Sequence, residues 1–130
     1  MSKNNPSPTP NVPKVCILGI GQMGLVCSGA LTIPDPQGAG AAPRANVTLW
    51  GYDDNENGIL AQTRKSDRLP GFTLPDCVRI AMSDAEAMQD VDIIVSAIPV
   101  QFIRSVWERI KPLVPINAAV ISVAKGIENE

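Results

Sequence analysis

Three glycines at fixed spacing are the residues of this chain whose types and positions best suit ligand chemistry. Gly19, Gly21 and Gly24 form the pattern Gly-x-Gly-x-x-Gly between an apolar run and a helix-like segment. The first turn of a helix has free backbone N–H groups and a partial positive charge, so it attracts anions. In this pattern Gly19 makes the turn, Gly21 leaves space for phosphates and Gly24 lets the helix approach the strand. The pattern predicts a pyrophosphate site, although a strand-to-helix turn without a ligand would fit the same residues.

Composition limits the chemistry that the chain itself can supply. The 130 residues include no histidine, which excludes a histidine acid, base, nucleophile or metal ligand. A reaction would therefore use other side chains or a bound cofactor. Cys16, Cys27 and Cys77 lack the C-x-x-C spacing of metal sites and are expected to be reduced thiols. Reduced thiols indicate a reducing compartment, so we expect a cytoplasmic protein with no metal.

Charge and hydropathy argue against two classes of partner. The net charge is −2 and basic residues are not clustered, whereas proteins that bind nucleic acid or acidic membranes carry basic patches. No apolar run reaches the ~20 residues that cross a bilayer. The N-terminus also lacks the apolar segment of a secretory signal. We therefore expect a small-molecule ligand, and neither nucleic acid nor a membrane span.

Apolar runs alternate with segments of helical periodicity along the chain. Strands are predicted within 14–18, 46–50, 78–82, 92–98 and 117–124, and helices within 22–32, 55–65, 84–89 and 99–112. The predicted buried stripe of the first helix is Met23, Val26, Cys27, Ala30 and Leu31. This alternation predicts an α/β fold with a doubly wound parallel sheet of about five strands in the order 3-2-1-4-5. Ligands of such sheets bind at the carboxyl ends of the strands, where the strand order reverses.

Two further segments have compositions that disfavour regular structure. Residues 1–13 include four prolines among polar residues and are predicted to be a disordered tail. Residues 33–44 are rich in Pro, Gly and Ala and are predicted to be a surface loop. The remaining length, 14–130, suits one domain.

With these elements placed, the sequence resembles the N-terminal dinucleotide-binding domain of NAD(P)-dependent glycerol-3-phosphate dehydrogenases. The matching segments are GIGQMG at 19–24, VTLWG at 47–51, LPGFTLP at 69–75, DIIVSAIPVQFI at 92–103 and AKGIE at 124–128. The resemblance covers about 14–130, with 33–44 as an apparent insertion. It implies a Rossmann-like fold. It also implies that the chain is the cofactor-binding half of an oxidoreductase of glycerophospholipid metabolism, which interconverts dihydroxyacetone phosphate and sn-glycerol 3-phosphate with NAD(P)H.

The resemblance implies cofactor contacts for ten residues. They are Gly19, Gly21, Gln22, Met23, Gly24, Tyr52, Asp53, Pro99, Phe102 and Lys125. The glycine loop and the backbone of Gln22 and Met23 would hold the pyrophosphate, and Pro99 and Phe102 would lie beside the nicotinamide. Phe102 fits a plain core position equally well. Lys125 would also bind substrate, through its phosphate or the oxygen at C2; a solvated lysine is the alternative.

Tyr52 and the acidic residues after it bear on cofactor preference. Tyr52 can stack on adenine, whereas many bacterial relatives have an arginine there that suits a 2′-phosphate. Asp53 and Asp54 would accept a hydrogen bond from a free 2′-hydroxyl and repel a phosphate. We therefore favour NAD, with NADP as the alternative. The same two aspartates would also suit the start of a helix without contacting any ligand.

The resemblance also defines what this chain is expected to lack. Family members continue into a helical domain that supplies a lysine general base and most of the substrate site. The printed chain stops at Glu130, so we expect this domain to be absent and assign no catalytic residue. A non-catalytic dinucleotide-binding or interaction module, which self-associates through its uncovered face, remains an alternative. A ketopantoate-type or hydroxyacid reductase is a third hypothesis, which the segments at 69–71 and 101–102 oppose.

Overall fold

One parallel β-sheet with helices on both faces accounts for the described part of the chain. The computed structural model describes residues 12–32 and 45–123. Most of the predicted tail, the predicted loop at 33–44 and Lys125 lie outside the described residues. The strands are β1 (Lys14–Leu18), β2 (Asn46–Trp50), β3 (Arg79–Ile80), β4 (Ile93–Ser96) and β5 (Ala119–Ser122). The helices are α1 (Gln22–Leu31), α2 (Asp54–Thr63), α3 (Asp84–Met88) and α4 (Val100–Ile110), followed by a 3₁₀ turn (Lys111–Leu113).

The strand order confirms the predicted fold. The five strands lie in the order β3-β2-β1-β4-β5, and every pairing is parallel. β1 therefore lies at the centre, between β2 and β4, and the order reverses on its β4 side. Within the described residues, which do not include the last residue predicted for β5, strands β3, β4 and β5 are shorter than predicted.

Alternate residues of the central strands build two separate cores. On one face Ile17 and Leu49 pack with Leu25 of α1 and Leu60 of α2. On the other face, side chains of the same strands pack with α3 and α4; these residues include Leu18, Trp50, Ile94, Met88, Val106 and Ile110. Since successive side chains of a strand point to opposite faces, both faces of β1 and β2 are buried. This is the arrangement of a doubly wound sheet.

The predicted buried stripe of α1 is wrong in part. The buried residues of this helix are Gly24, Leu25 and Ser28, whereas Met23 is 38% and Val26 47% exposed. Periodicity counts apolar side chains, but the closest approach of α1 to the turn after β1 is made by Gly24, which has none, and Leu25 packs on the sheet beside it. Gly24 lies against the turn after β1, and this rotates Met23 and Val26 away from the core.

The structure also bears on the predicted core cysteines and on the expected lack of a membrane span. Cys16 is buried in the second core, and its burial raises the pKa of the thiol to about 12, so it is an inert core thiol as predicted. None of the described helices is long and apolar enough to cross a membrane.

The contact between Gly24 and the β1 turn makes a prediction about stability. A Cβ on Gly24 would overlap the carbonyl oxygen of Gly19, which is backbone and cannot rotate away. We expect Gly24→Ala to lower the free energy of unfolding in urea by about 1–3 kcal/mol. Gly58→Ala is the matched control, because a Cβ there meets nothing within 4 Å in the middle of α2. It should stabilise the domain by up to about 1 kcal/mol; a Gly24→Ala protein as stable as this control would contradict the argument.

Candidate functional site

A groove of about 810 Å³ lies at the carboxyl ends of β1, β2 and β4. It is open to the surface, and its volume is within the range of small-molecule sites. Seven of the ten predicted contact residues line it: Gly19, Gly21, Gln22, Met23, Tyr52, Pro99 and Phe102. Gly24 lies behind the groove in the packing of α1, and Asp53 is the N-cap of α2. Lys125 is outside the described residues.

The glycine turn is fixed by contacts to both neighbouring strands. The Gly19 N–H donates to the Trp50 carbonyl at 2.7 Å. Gly19 has a φ of +119°, and a Cβ there would lie 2.7 Å from the Ala97 carbonyl oxygen. Both conditions exclude other residues. The chain after β1 is thereby clamped between the ends of β2 and β4.

Gly21 differs from the other two glycines because its surroundings are open. A Cβ on Gly21 would meet nothing within 4 Å, yet the residue lines the groove. Gly21 is the N-cap of α1, and within the described residues no side chain caps this helix end. The first-turn N–H groups of α1 are thus turned towards the end of the sheet where the groove lies.

The N-termini of the four described α-helices differ in whether a side chain caps them. α2 is capped by Asp53, whose side chain accepts from the Asn55 N–H at 2.9 Å, and α3 is capped by Ser83. Both capped helices also have two acidic residues in their first turns. α1 and α4 have neither feature among the described residues. These are the helices that follow β1 and β4, the two strands at the point where the strand order reverses. Among the four described α-helices, the positive ends that no acidic side chain opposes therefore lie beside the groove.

Apolar side chains form the wall of the groove on its α4 side. Phe102 is 53% exposed on the first turn of α4, so it is not a core residue. Met23 on α1 is also exposed, and Ile98 and Val106 lie behind. A flat apolar group could be held here without a hydrogen bond.

The residues that follow β2 line another part of the groove. Tyr52 is 62% exposed and lines the groove, but Asp53 is used as the cap of α2. The alternative prediction, that Asp53 suits the start of a helix, is therefore confirmed for the carboxylate oxygen that accepts from Asn55. Glu56 and Arg68, joined by an ion pair of 2.9 Å, also line this part of the groove. This pair was not predicted, because a Glu and an Arg twelve residues apart have no local signature in the sequence.

An ion pair beneath Tyr52 is a second feature that the sequence analysis missed. Arg109 of α4 donates to both carboxylate oxygens of Asp84, at 2.6 and 3.0 Å, and the Trp50 indole N–H donates to Asp84 at 2.8 Å. Burial opposes ionisation of Asp84, but these two partners outweigh it and lower its pKa. The hydrogen bonds to Asp84 in turn raise the pKa of Arg109. The pair is therefore ionised at neutral pH.

Comparisons with known proteins give the chain its family. The fold is that of a Rossmann-like α/β domain, with a candidate ligand site in the groove at the carboxyl edge of its sheet. Residues 14–130 match the family described as NAD-dependent glycerol-3-phosphate dehydrogenase N-terminus. The chain belongs to this family, as its sequence motifs predicted.

Relatives and solved structures agree with this assignment. The chain is 35% identical over 119 residues to glycerol-3-phosphate dehydrogenase [NAD(P)+] of Syntrophomonas wolfei, covering 90% of the chain and 32% of that protein. It is 33% identical over 115 residues to glycerol-3-phosphate dehydrogenase [NAD(P)+] 2 of Lactobacillus delbrueckii, covering 88% and 32%. The structure of glycerol-3-phosphate dehydrogenase from Saccharomyces cerevisiae superposes with a TM-score of 0.71 at 29% identity, covering 91% of this chain and 35% of that one. The chain thus spans about a third of the length of these proteins.

The Asp84 ion pair makes a prediction about pH. A carboxyl group whose pKa is lower in the folded state stabilises above its unfolded pKa of about 3.9, and this stabilisation is lost as the pH falls through the folded value. We expect Asp84→Asn to lower the free energy of unfolding by about 1 kcal/mol at neutral pH, a small value because Arg109 is partly exposed. In urea titrations the difference from the unsubstituted protein should shrink below about pH 4. Asp67→Asn, at an exposed position, is the control; a difference that stays constant with pH would contradict the prediction.

Proposed function

We propose that this domain binds NAD(H) across the groove, as the cofactor-holding part of a glycerol-3-phosphate dehydrogenase. The observation that carries the proposal is the open space in front of Gly21 at the uncapped start of α1. A dinucleotide has an anionic pyrophosphate at its centre, and that space can accept it beside free N–H groups. The groove continues from Gly21 both to Phe102 and to Tyr52, so each half of the molecule has a wall to lie against.

The residues present fit a dinucleotide in each of its parts. The backbone N–H groups of Gln22 and Met23 would bind the pyrophosphate, while Pro99 and Phe102 would contact the nicotinamide ring. Tyr52 would contact adenine. When bound, the nicotinamide supplies the hydride chemistry of the family; the chain's own residues orient it and exclude water from one of its faces.

The substrate part of the proposal rests on the family resemblance. The proposed reaction is the interconversion of dihydroxyacetone phosphate and sn-glycerol 3-phosphate. We propose it for a protein as long as the relatives, of which this chain spans about a third. Lys125 is proposed to hold the substrate phosphate or to polarise the oxygen at C2. We assign no general base within this chain, and cytoplasmic localisation also remains a proposal.

Binding is tested by calorimetry with NADH on a pair of glycine variants. A methyl group on Gly21 would project into the space proposed for the pyrophosphate, so Gly21→Ala should weaken NADH binding about ten- to a hundredfold. The fold should be unchanged, because the new Cβ meets no protein atom. Gly58→Ala should bind like the unsubstituted protein. A folded protein that binds neither NADH nor NADPH would overturn the proposed function.

Cofactor preference is tested at Tyr52. This end of the groove offers Tyr52 and an Arg68 already paired with Glu56, with Asp53 and Asp54 nearby, so NADH should bind more tightly than NADPH. Tyr52→Arg would supply a cation for a 2′-phosphate and should raise the affinity for NADPH relative to NADH about tenfold. Tyr52→Leu is the uncharged control and should not shift the ratio towards NADPH. Preference of the unsubstituted protein for NADPH would contradict this assignment.

A specific observation keeps an interaction module as a second candidate. Val120 and Ile121 of β5 are 53% and 49% exposed, and neighbouring residues of a strand point to opposite faces. Self-association through β5 would cover them. Sedimentation analysis over a range of concentrations should then show a dimer that Val120→Lys abolishes, and a monomer at all concentrations would refute this candidate.

A further inference from the structure

One cluster below the exposed Tyr52 is formed by three side chains from three elements, Trp50 of β2, Asp84 of α3 and Arg109 of α4. The Arg109 guanidinium carbon lies 5.2 Å from the centre of the Trp50 ring and 5.3 Å from that of Tyr52. The two rings are 6.2 Å apart, with their planes at 75°. Asp84, the first residue of α3, accepts two hydrogen bonds from Arg109. The cluster connects the end of β2 to α3 and α4.

The guanidinium is fixed in orientation by the Asp84 carboxylate. Two nitrogens of Arg109 reach two different oxygens of Asp84, which is the fork geometry that only arginine provides. Trp50 anchors the same carboxylate through its indole N–H. The Arg109 guanidinium therefore has a fixed orientation, unlike the mobile cation of an unpaired arginine on the protein surface.

The position of the Tyr52 ring depends on its contact with the Arg109 guanidinium. Tyr52 is 62% exposed and lies two residues after the end of β2, where the ladder has ended. An exposed side chain with free rotamers loses entropy when a ligand immobilises it. Contacts at 5.3 Å with a cation and 6.2 Å with an aromatic edge restrict the ring before any ligand arrives.

We propose that Arg109 is a positioning residue that presets the Tyr52 ring as a stacking surface for the adenine of the dinucleotide. The proposal rests on the proposed function, since it assumes a dinucleotide in the groove. Arg109 itself need not touch the ligand: its charge is already paired with Asp84, and Tyr52, which is 62% exposed, lines the groove in which a base would lie. Arg109 thereby reduces the entropic cost of binding at the adenosine end.

The first test needs no cofactor, because Tyr52 is the only tyrosine of the chain. Its ring protons give a single set of tyrosine signals in NMR spectra. Arg109→Ala should move these signals towards the values of an unstructured peptide, while Arg104→Ala, an exposed arginine on the same helix, should leave them in place. Unchanged Tyr52 signals in folded Arg109→Ala would overturn the proposal.

The second test is a double-mutant cycle on NADH affinity with Arg109→Ala, Tyr52→Ala and the double variant. Arg109→Ala alone should weaken binding about three- to tenfold, the cost of immobilising one free side chain. The double variant should bind no more weakly than Tyr52→Ala, because Arg109 acts through Tyr52. Additive losses would assign Arg109 a different role and overturn the proposal.

Two controls separate the possible failures. Arg109→Lys retains the charge but not the fork, so its affinity should lie between those of the unsubstituted and alanine proteins; it also serves if Arg109→Ala does not fold. If the unsubstituted, folded protein binds no NADH, the proposed function fails, whatever the NMR result. If NADH binds normally to Arg109→Ala, only the positioning role fails.

Discussion

The candidate site depends on the backbone contact between α1 and the turn that follows β1. Gly24 lies so close to the carbonyl of Gly19 that a single additional carbon atom would overlap it. This contact fixes the direction of α1 relative to the sheet and so aims its first N–H groups. Gly19 is itself held by the Trp50 carbonyl on one side and faces Ala97 on the other. Within a few residues the chain therefore connects β1, its neighbours β2 and β4, and α1. A binding site at this point is held in place by the sheet.

The same constraint explains why the sequence predicted the sheet better than the first helix. Strands buried on both faces need continuous apolar residues, and that pattern is visible without knowledge of tertiary contacts. The orientation of α1 is set by a missing side chain, which a count of apolar residues cannot register. Met23 and Val26 were therefore assigned to the core, whereas the structure exposes both.

The site shows a similar division between local and long-range information. The glycine spacing is a local feature, whereas the family resemblance supplied Tyr52, Pro99 and Phe102. Seven of the residues predicted in these two ways line one groove. Arg109 and Asp84 are 25 residues apart and chemically ordinary, so only the packing of α4 beside α3 brings them together. Asp53 was assigned a ligand contact or a helix start on its residue type. The structure shows its use as a cap, because the geometry of α2 decides which N–H group its carboxylate can reach.

Electrostatics then distinguishes the groove from the rest of the sheet edge. α2 and α3 neutralise their positive ends with a capping side chain and two acidic residues each. Among the described helices, only α1 and α4 leave their first turns without either, and both begin beside the groove. The protein thus forgoes the stabilisation that capping side chains would give these two helices, which is a few tenths of a kcal/mol for α1, whose N-cap is Gly21, and about 1 kcal/mol for α4. A ligand with negative charge at its centre would recover that stabilisation on binding, so the uncapped helix ends connect the stability of this fold directly to the occupation of its groove.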